Sequence, residues 1–188
     1  MKEHKAVRKL AVTVAVLVAV SLLAGCAAQS HFVADNAAER VKDPIAVVPF
    51  DNLSGHPEAG MIVAELFQNE LSEASGREVK VVSPEQVAAL QEELSRQPHD
   101  PAKLGEILGA KTLVMGRVNE FAYKHVLGED PAVSISARLV DAKSGEVLWK
   151  SALSQTGRCS WLKQDSLTRL AHDMCEDLAQ RLAASIRR

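Results

Sequence analysis

Pro44-Ile45-Ala46-Val47-Val48-Pro49-Phe50-Asp51-Asn52-Leu53-Ser54-Gly55 decides the fold class. Residues 45–50 are a short unbroken apolar run without alternation, the pattern of a strand covered on both faces. The polar, glycine- and proline-bearing stretch Asp51–Pro57 that follows is expected to be a loop. From Glu58 the apolar residues Ile62, Val63, Leu66, Phe67, Leu71 and Ala74 recur at helical spacing, and Gly76 supplies a stop. A doubly covered strand followed at once by an amphipathic helix is the opening of an α/β layer structure.

Reading downstream, Val79-Lys80-Val81-Val82 is a second strand. Ser83-Pro84-Glu85-Gln86 combines an N-cap serine, a proline at the first helical position and a glutamine at the capping-box position. The helix it opens buries Val87, Leu90 and Leu94. A shorter one starts at Asp100-Pro101, runs through Leu104, Ile107 and Leu108, and ends at Gly109. Thr112–Val118, continuing to Tyr123, is a third strand. Val133, Ile135, Ala137 and Leu139 then alternate with Ser134, Ser136 and Arg138, which marks a half-buried strand. Asp141-Ala142-Lys143-Ser144-Gly145 turns it into a partner strand, Glu146–Thr156. A last helix from about Ser166, capped by Asp165, carries Leu167, Leu170, Met174, Leu178 and Leu182 on one stripe. The order β, α, β, α, α, β, β, β, α predicts an α/β three-layer-type sandwich with a mixed sheet of about five strands and helices packed on it.

Upstream of the fold, Lys2, Lys5, Arg8 and Lys9 precede an uncharged run from Leu10 to Leu23 that ends in Leu23-Ala24-Gly25-Cys26. The run is shorter than the roughly 20 residues a membrane-spanning helix needs. Basic start, apolar middle and small residues before a cysteine are those of a bacterial lipoprotein signal peptide, with cleavage before Cys26 and lipid attached to it. Three segments follow: a signal peptide over 1–25, a lipidated tether over 26–43, and one α/β domain over 44–188. Ala27, standing where an inner-membrane retention signal would show Asp, favours the outer membrane, on its periplasmic face.

The mature part carries 18 Lys and Arg against 23 Asp and Glu. A net charge of −5 argues against nucleic-acid binding, whose electrostatic footprint is basic. His31, His56, His99, His125 and His172 are scattered without metal-ligand spacing, so no metal is expected. The loop Asn52-Leu53-Ser54-Gly55 lacks the glycine pattern of a phosphate-binding nest, and Ser54 with His56 lacks a third orienting group. No catalytic residue and no cofactor are expected. Cys159 and Cys175 pair in a disulfide, or Cys175 is a buried small hydrophobe and Cys159 a loop thiol. Trp161-Leu162, flanked by Arg158 and Lys163, suits either a membrane interface or a staple under the last helix. Glu129-Asp130 is ordinary solvated charge unless many copies converge on one axis.

The run Ile45–Gly55 and the strand entry Gly109-Ala110-Lys111-Thr112-Leu113-Val114-Met115-Gly116 resemble periplasmic lipoproteins with the TolB N-terminal-like, anticodon-binding-like fold, a group that includes CsgG and the LpoB-type synthase activators. More specific is the series Tyr123-Lys124, Gly128–Val133, Leu139-Val140-Asp141, Gly145–Trp149, Thr156-Gly157 and Trp161, which resembles the PelC-type lipoproteins of Pel exopolysaccharide export. That resemblance implies a ring of lipidated subunits on the outer membrane, assisting export of a cationic polysaccharide through a β-barrel porin with periplasmic helical repeats. It implies Cys26 as anchor, Trp161 with Leu162 as membrane contact, and Glu129 and Asp130 as polymer-guiding acids. The alternatives are an LpoB-like activator of a peptidoglycan synthase and a CsgG-like secretion accessory.

Overall fold

The computed structural model describes residues 30–80, 82, 84–95, 99–124, 130–157, 159–160, 163–164 and 166–187. Its elements are β1 (Ser30–Val33), α1 (Ala37–Arg40), β2 (Ile45–Val47), β3 (Asp51–Asn52), α2 (Ala59–Ser75), β4 (Val79–Lys80), α3 (Pro84–Leu94), α4 (Pro101–Leu108), β5 (Thr112–Lys124), β6 (Asp130–Asp141), β7 (Val147–Thr156), β8 (Cys159–Ser160), β9 (Lys163–Gln164) and α5 (Leu167–Ile186). Seven strands form one mixed sheet in the order β1-β7-β6-β5-β2-β4, with β3 beside β5 further along the line of β2. The β4, β2, β3 and β5 pairings are parallel, and those of β5, β6, β7 and β1 antiparallel.

The apolar run at 45–50 divides between two cores as a doubly covered strand must, because successive side chains leave opposite faces. Ile45, Val47 and Phe50 pack with α2 and α5 through Phe67, Leu71, Leu170, Met174, Leu178 and Leu182. Ala46 and Val48 pack with α3 and α4 through Leu90, Leu104 and Leu108. Each of these large side chains contributes roughly 1.5–3 kcal/mol on burial. Helix α2 ends as expected, at Gly76 with φ 62°.

Two strands exceed the expected five. The Val48 N–H reaches the Val114 carbonyl of β5, but the next N–H on that side, Phe50's, goes to the Gly60 carbonyl at 3.2 Å, so the parallel ladder along β5 lapses and resumes at Asp51 as β3, where a loop was expected. The other is β1. The expected tether over 26–43 is corrected from Ser30 onward: Ser30–Val33 pairs antiparallel with Trp149–Ala152 of β7, and Val41 is buried in the core. The edge of β7 has unpaired backbone groups, and β1 satisfies them. Among the described residues, Ser30–Asp43 therefore contribute to the fold. The last helix is capped by Ser166, whose hydroxyl accepts from the Arg169 N–H at 3.2 Å, rather than by Asp165. Gln86 donates to the Ile107 carbonyl at 3.1 Å, tying α3 to α4.

The 141–145 turn forms as expected. Burial alone would raise the Asp141 carboxyl, but the Ser144 N–H and hydroxyl and the charge of Lys42 outweigh it and hold the group below its ordinary 3.8. Its contribution to stability is thus present above pH 3.8 and lost as pH falls through the lower folded value.

Cys175 is a free, buried thiol whose Sγ–H donates to the Val63 carbonyl at 3.7 Å. Burial, helped by the charge of Glu70, pushes it up to about 12 from 9.0. The folded thiol stays neutral while the unfolded one ionises, so folding stability declines as pH rises from about 9 towards 12. In a Cys159→Ser variant, Cys175 is expected to be inert to a thiol reagent at pH 8 and to react fully once denaturant is added; prompt reaction in the native state would contradict its burial.

Candidate functional site

Of the expected site residues, Asp130 is described and stands at one end of the sheet. Strands β5 and β6 are paired as far as Lys124 opposite Asp130, and β6 and β7 as far as Ala132 opposite Thr156. Beyond that pair the Gly157 N–H donates to the Pro131 carbonyl at 2.7 Å. The chain then forms the small antiparallel ladder of β8 and β9, in which Ser160 pairs with Lys163. Trp161 and Leu162 link those two residues in sequence and lie outside the described residues, as do Glu129 and Cys26. Among the described residues, Asp130 and Thr156 thus stand at neighbouring strand ends, a nearness set by strand pairing.

The amino-terminal strand runs in from the direction of that end and is first described opposite mid-sheet. In β1, Ser30 pairs with Ala152 and Val33 with Trp149, so the strand enters from the side of Thr156. Cys26 precedes Ser30 by four residues, a reach of at most about 14 Å.

Asp130 is half-buried and stands opposite Lys124, which also holds Glu120 at 3.0 Å. Tyr123 beside it is 42% exposed, and Leu53, whose N–H joins the Val118 carbonyl, is 62% exposed. Sequence gives no reason to expect either side chain exposed, because a tyrosine closing a strand and a leucine in a turn carry no periodic signal. Trp149 is different: it is wholly buried in the core.

The Asn52–His56 loop is organised by its own side chains. Asn52 Oδ1 accepts from the Ser54 N–H at 3.0 Å and from the Ser54 hydroxyl at 2.6 Å, while Asn52 Nδ2 donates to the His56 carbonyl at 2.9 Å. His56 Nδ1 lies 2.7 Å from the Pro57 carbonyl, and its ring packs on Phe121. The Ser54 hydroxyl is therefore spent on Asn52, not on the imidazole. Among the described residues no group of three or more His, Cys, Asp or Glu could hold a metal ion, and no helix is long and apolar enough to cross a membrane.

No curated protein sequence matches the chain. Among solved structures, the PelC dodecamer from Paraburkholderia phytofirmans is similar over 87% of this chain and 99% of that one, at 21% identity and a TM-score of 0.61. A point variant of that PelC dodecamer is similar over 85% and 99%, at 21% identity and a TM-score of 0.63. Lipoprotein GNA1162 from Neisseria meningitidis is 24% identical over 74% of this chain and 97% of that one, with a TM-score of 0.49. The PelC likeness, at such identities, is one of fold, and it defines the class: a mixed α/β domain with helices packed on its sheet. The chain belongs to the GNA1162-like lipoprotein family, whose model matches residues 45–174.

Proposed function

We propose that this lipoprotein is anchored through Cys26 to the periplasmic face of the outer membrane, assembles into a ring, and assists export of a cationic exopolysaccharide through a β-barrel partner. What supports the reading is strand direction: β1 enters from the side of Thr156 with Ser30 opposite Ala152, Cys26 lies four residues before it in sequence, and Asp130 stands at the end of β6 on that same side. A lipid anchor with so short a reach holds that end against the bilayer, where Trp161 and Leu162 contact the interface. The assembly of PelC as a dodecamer supports a ring for a chain of the same fold. In such a ring, Glu129 and Asp130 repeat around the axis beside the membrane, at the approach to the barrel. A single exposed carboxylate pair attracts an amine weakly. A ring of them in a confined lumen sums its field and concentrates a cationic polymer.

The test is charge reversal against neutralisation. Changing Glu129 and Asp130 both to Lys is expected to abolish export with fold, lipidation and assembly intact. Changing them to Gln and Asn is expected only to reduce export, and further at high salt, where the remaining field is screened. Normal export by the Lys pair would place the acids outside the lumen and remove the funnel from the reading.

A further inference from the structure

The sheet face that α3 and α4 cover is left open further along, and a cleft of about 390 Å³ lies there. Three neighbouring strands supply its cations and a hydroxyl: Arg117 of β5, Ser136 and Arg138 of β6, and Lys150 of β7. The register sets Arg138 directly opposite Lys150, with Arg117 opposite Ser136 two residues further along. With strands about 4.8 Å apart and about 3.3 Å per residue, the three cationic positions fall within roughly 12 Å of one another.

Like charges directly opposite each other on one sheet face are destabilising. Arg138 and Lys150 are both exposed, and among the described residues neither makes an ion pair; Lys150 Nζ lies 5.5 Å from the Phe32 ring centre. Among the described residues Asp51 supplies the lining's only carboxylate. It is shared already, 2.9 Å from Nε2 of the buried His99 and 3.8 Å from Arg117. It therefore steadies Arg117 and leaves Arg138 and Lys150 without a carboxylate partner among the described residues. This happens in a mature chain with a net charge of −5. A local conflict kept in an otherwise consistent sheet marks a functional position.

We infer that the cleft binds a small organic oxyanion, a carboxylate or a phosphate. Arg117, Arg138 and Lys150 meet its charge, the Ser136 hydroxyl donates to it, and Val48, Leu94 and Met115 hold its apolar part. This site is independent of the export reading, since a cationic polymer is repelled from it.

The experiment uses the lipidated full chain and follows its melting temperature while titrating inorganic phosphate or glucuronate against chloride at matched ionic strength. A saturable rise with either anion is expected, and which of the two raises it distinguishes phosphate from carboxylate. Arg138→Gln with Lys150→Gln is expected to weaken that response by about tenfold or more, from a starting melting temperature no lower than that of the parent. Three results overturn the inference: no rise with either anion, an equal rise in the double variant, or a rise that tracks ionic strength alone. A double variant that alters assembly while keeping the parent's titration also overturns it, and makes this face a contact between copies of the chain.

Discussion

Replacing Arg77 with methionine is expected to lower the melting temperature by about 6–12 °C, the equivalent of roughly 3 kcal/mol for a domain of this size. The Arg77 side chain is 7% exposed, and its guanidinium serves three separate parts of the chain. Nε and Nη2 donate to the Ile186 carbonyl at 3.2 and 2.9 Å, closing the end of α5. Nη2 also donates to the Ala38 carbonyl at 3.0 Å, and Nη1 to the Val41 carbonyl and the Asp43 carboxylate, both at 3.3 Å. Methionine refills the stem volume and supplies no donor. The carbonyls lose their partners, and a buried acceptor left unsatisfied costs about 1–3 kcal/mol. Asp43 adds little, because at 32% exposure water replaces the lost partner. Arg77→Lys is expected to recover only part of the loss, since one ammonium cannot span the fork that reaches both chain ends. Denaturant titration with an unchanged m-value checks the magnitude, and hydrogen exchange should show residues 30–42 released first. A loss below about 1 kcal/mol would mean that the segment is held by β1 alone.

The contrast between what sequence reveals and what it hides follows the same physics. Ile45–Phe50 was legible because burying both faces demands an apolar residue at every position. The helices were legible because α2 and α5 keep one stripe against the sheet. Ser30–Val33 was not: all four residues are exposed, and the strand exists because the edge of β7 needs a partner, a requirement written in β7. Arg77 follows a helix-ending glycine, where a lone cation ordinarily sits in solvent, and only the arrival of Ala38, Val41 and Ile186 around it makes it structural. The candidate site divides in the same way. The expected residues were visible as types, while the nearness of Asp130 to the end of β7 depends on the β6–β7 register. The cationic cleft was hidden because Arg117, Arg138 and Lys150 lie on three strands and meet only through pairing.

Cys26→Ser is expected to move the protein from the outer-membrane fraction to the soluble periplasm and to abolish export. A diacylglyceryl group and an amide-linked chain bury many methylenes, each contributing about 0.8 kcal/mol. Trp161 and Leu162 alone cannot replace that. The fold should be unaffected, because Cys26 precedes the first strand and its nearest described neighbour, Ser30, is held by backbone pairing to β7. Loss of attachment and loss of close positioning are then separated by a second variant: twelve Gly and Ser residues inserted between Cys26 and Ser30, with the lipid retained. A flexible segment of the resulting length spans about 20–25 Å on average, so the sheet end is no longer pressed to the bilayer. This variant is expected to stay in the membrane fraction yet export poorly, because Trp161 is withdrawn from the interface and the ring from the barrel. An activator that works by reaching a distant partner would gain from the same insertion. Full export by the lengthened chain would reduce the anchor to a device for raising local concentration, and the orientation proposed for Trp161 and Asp130 would fall with it.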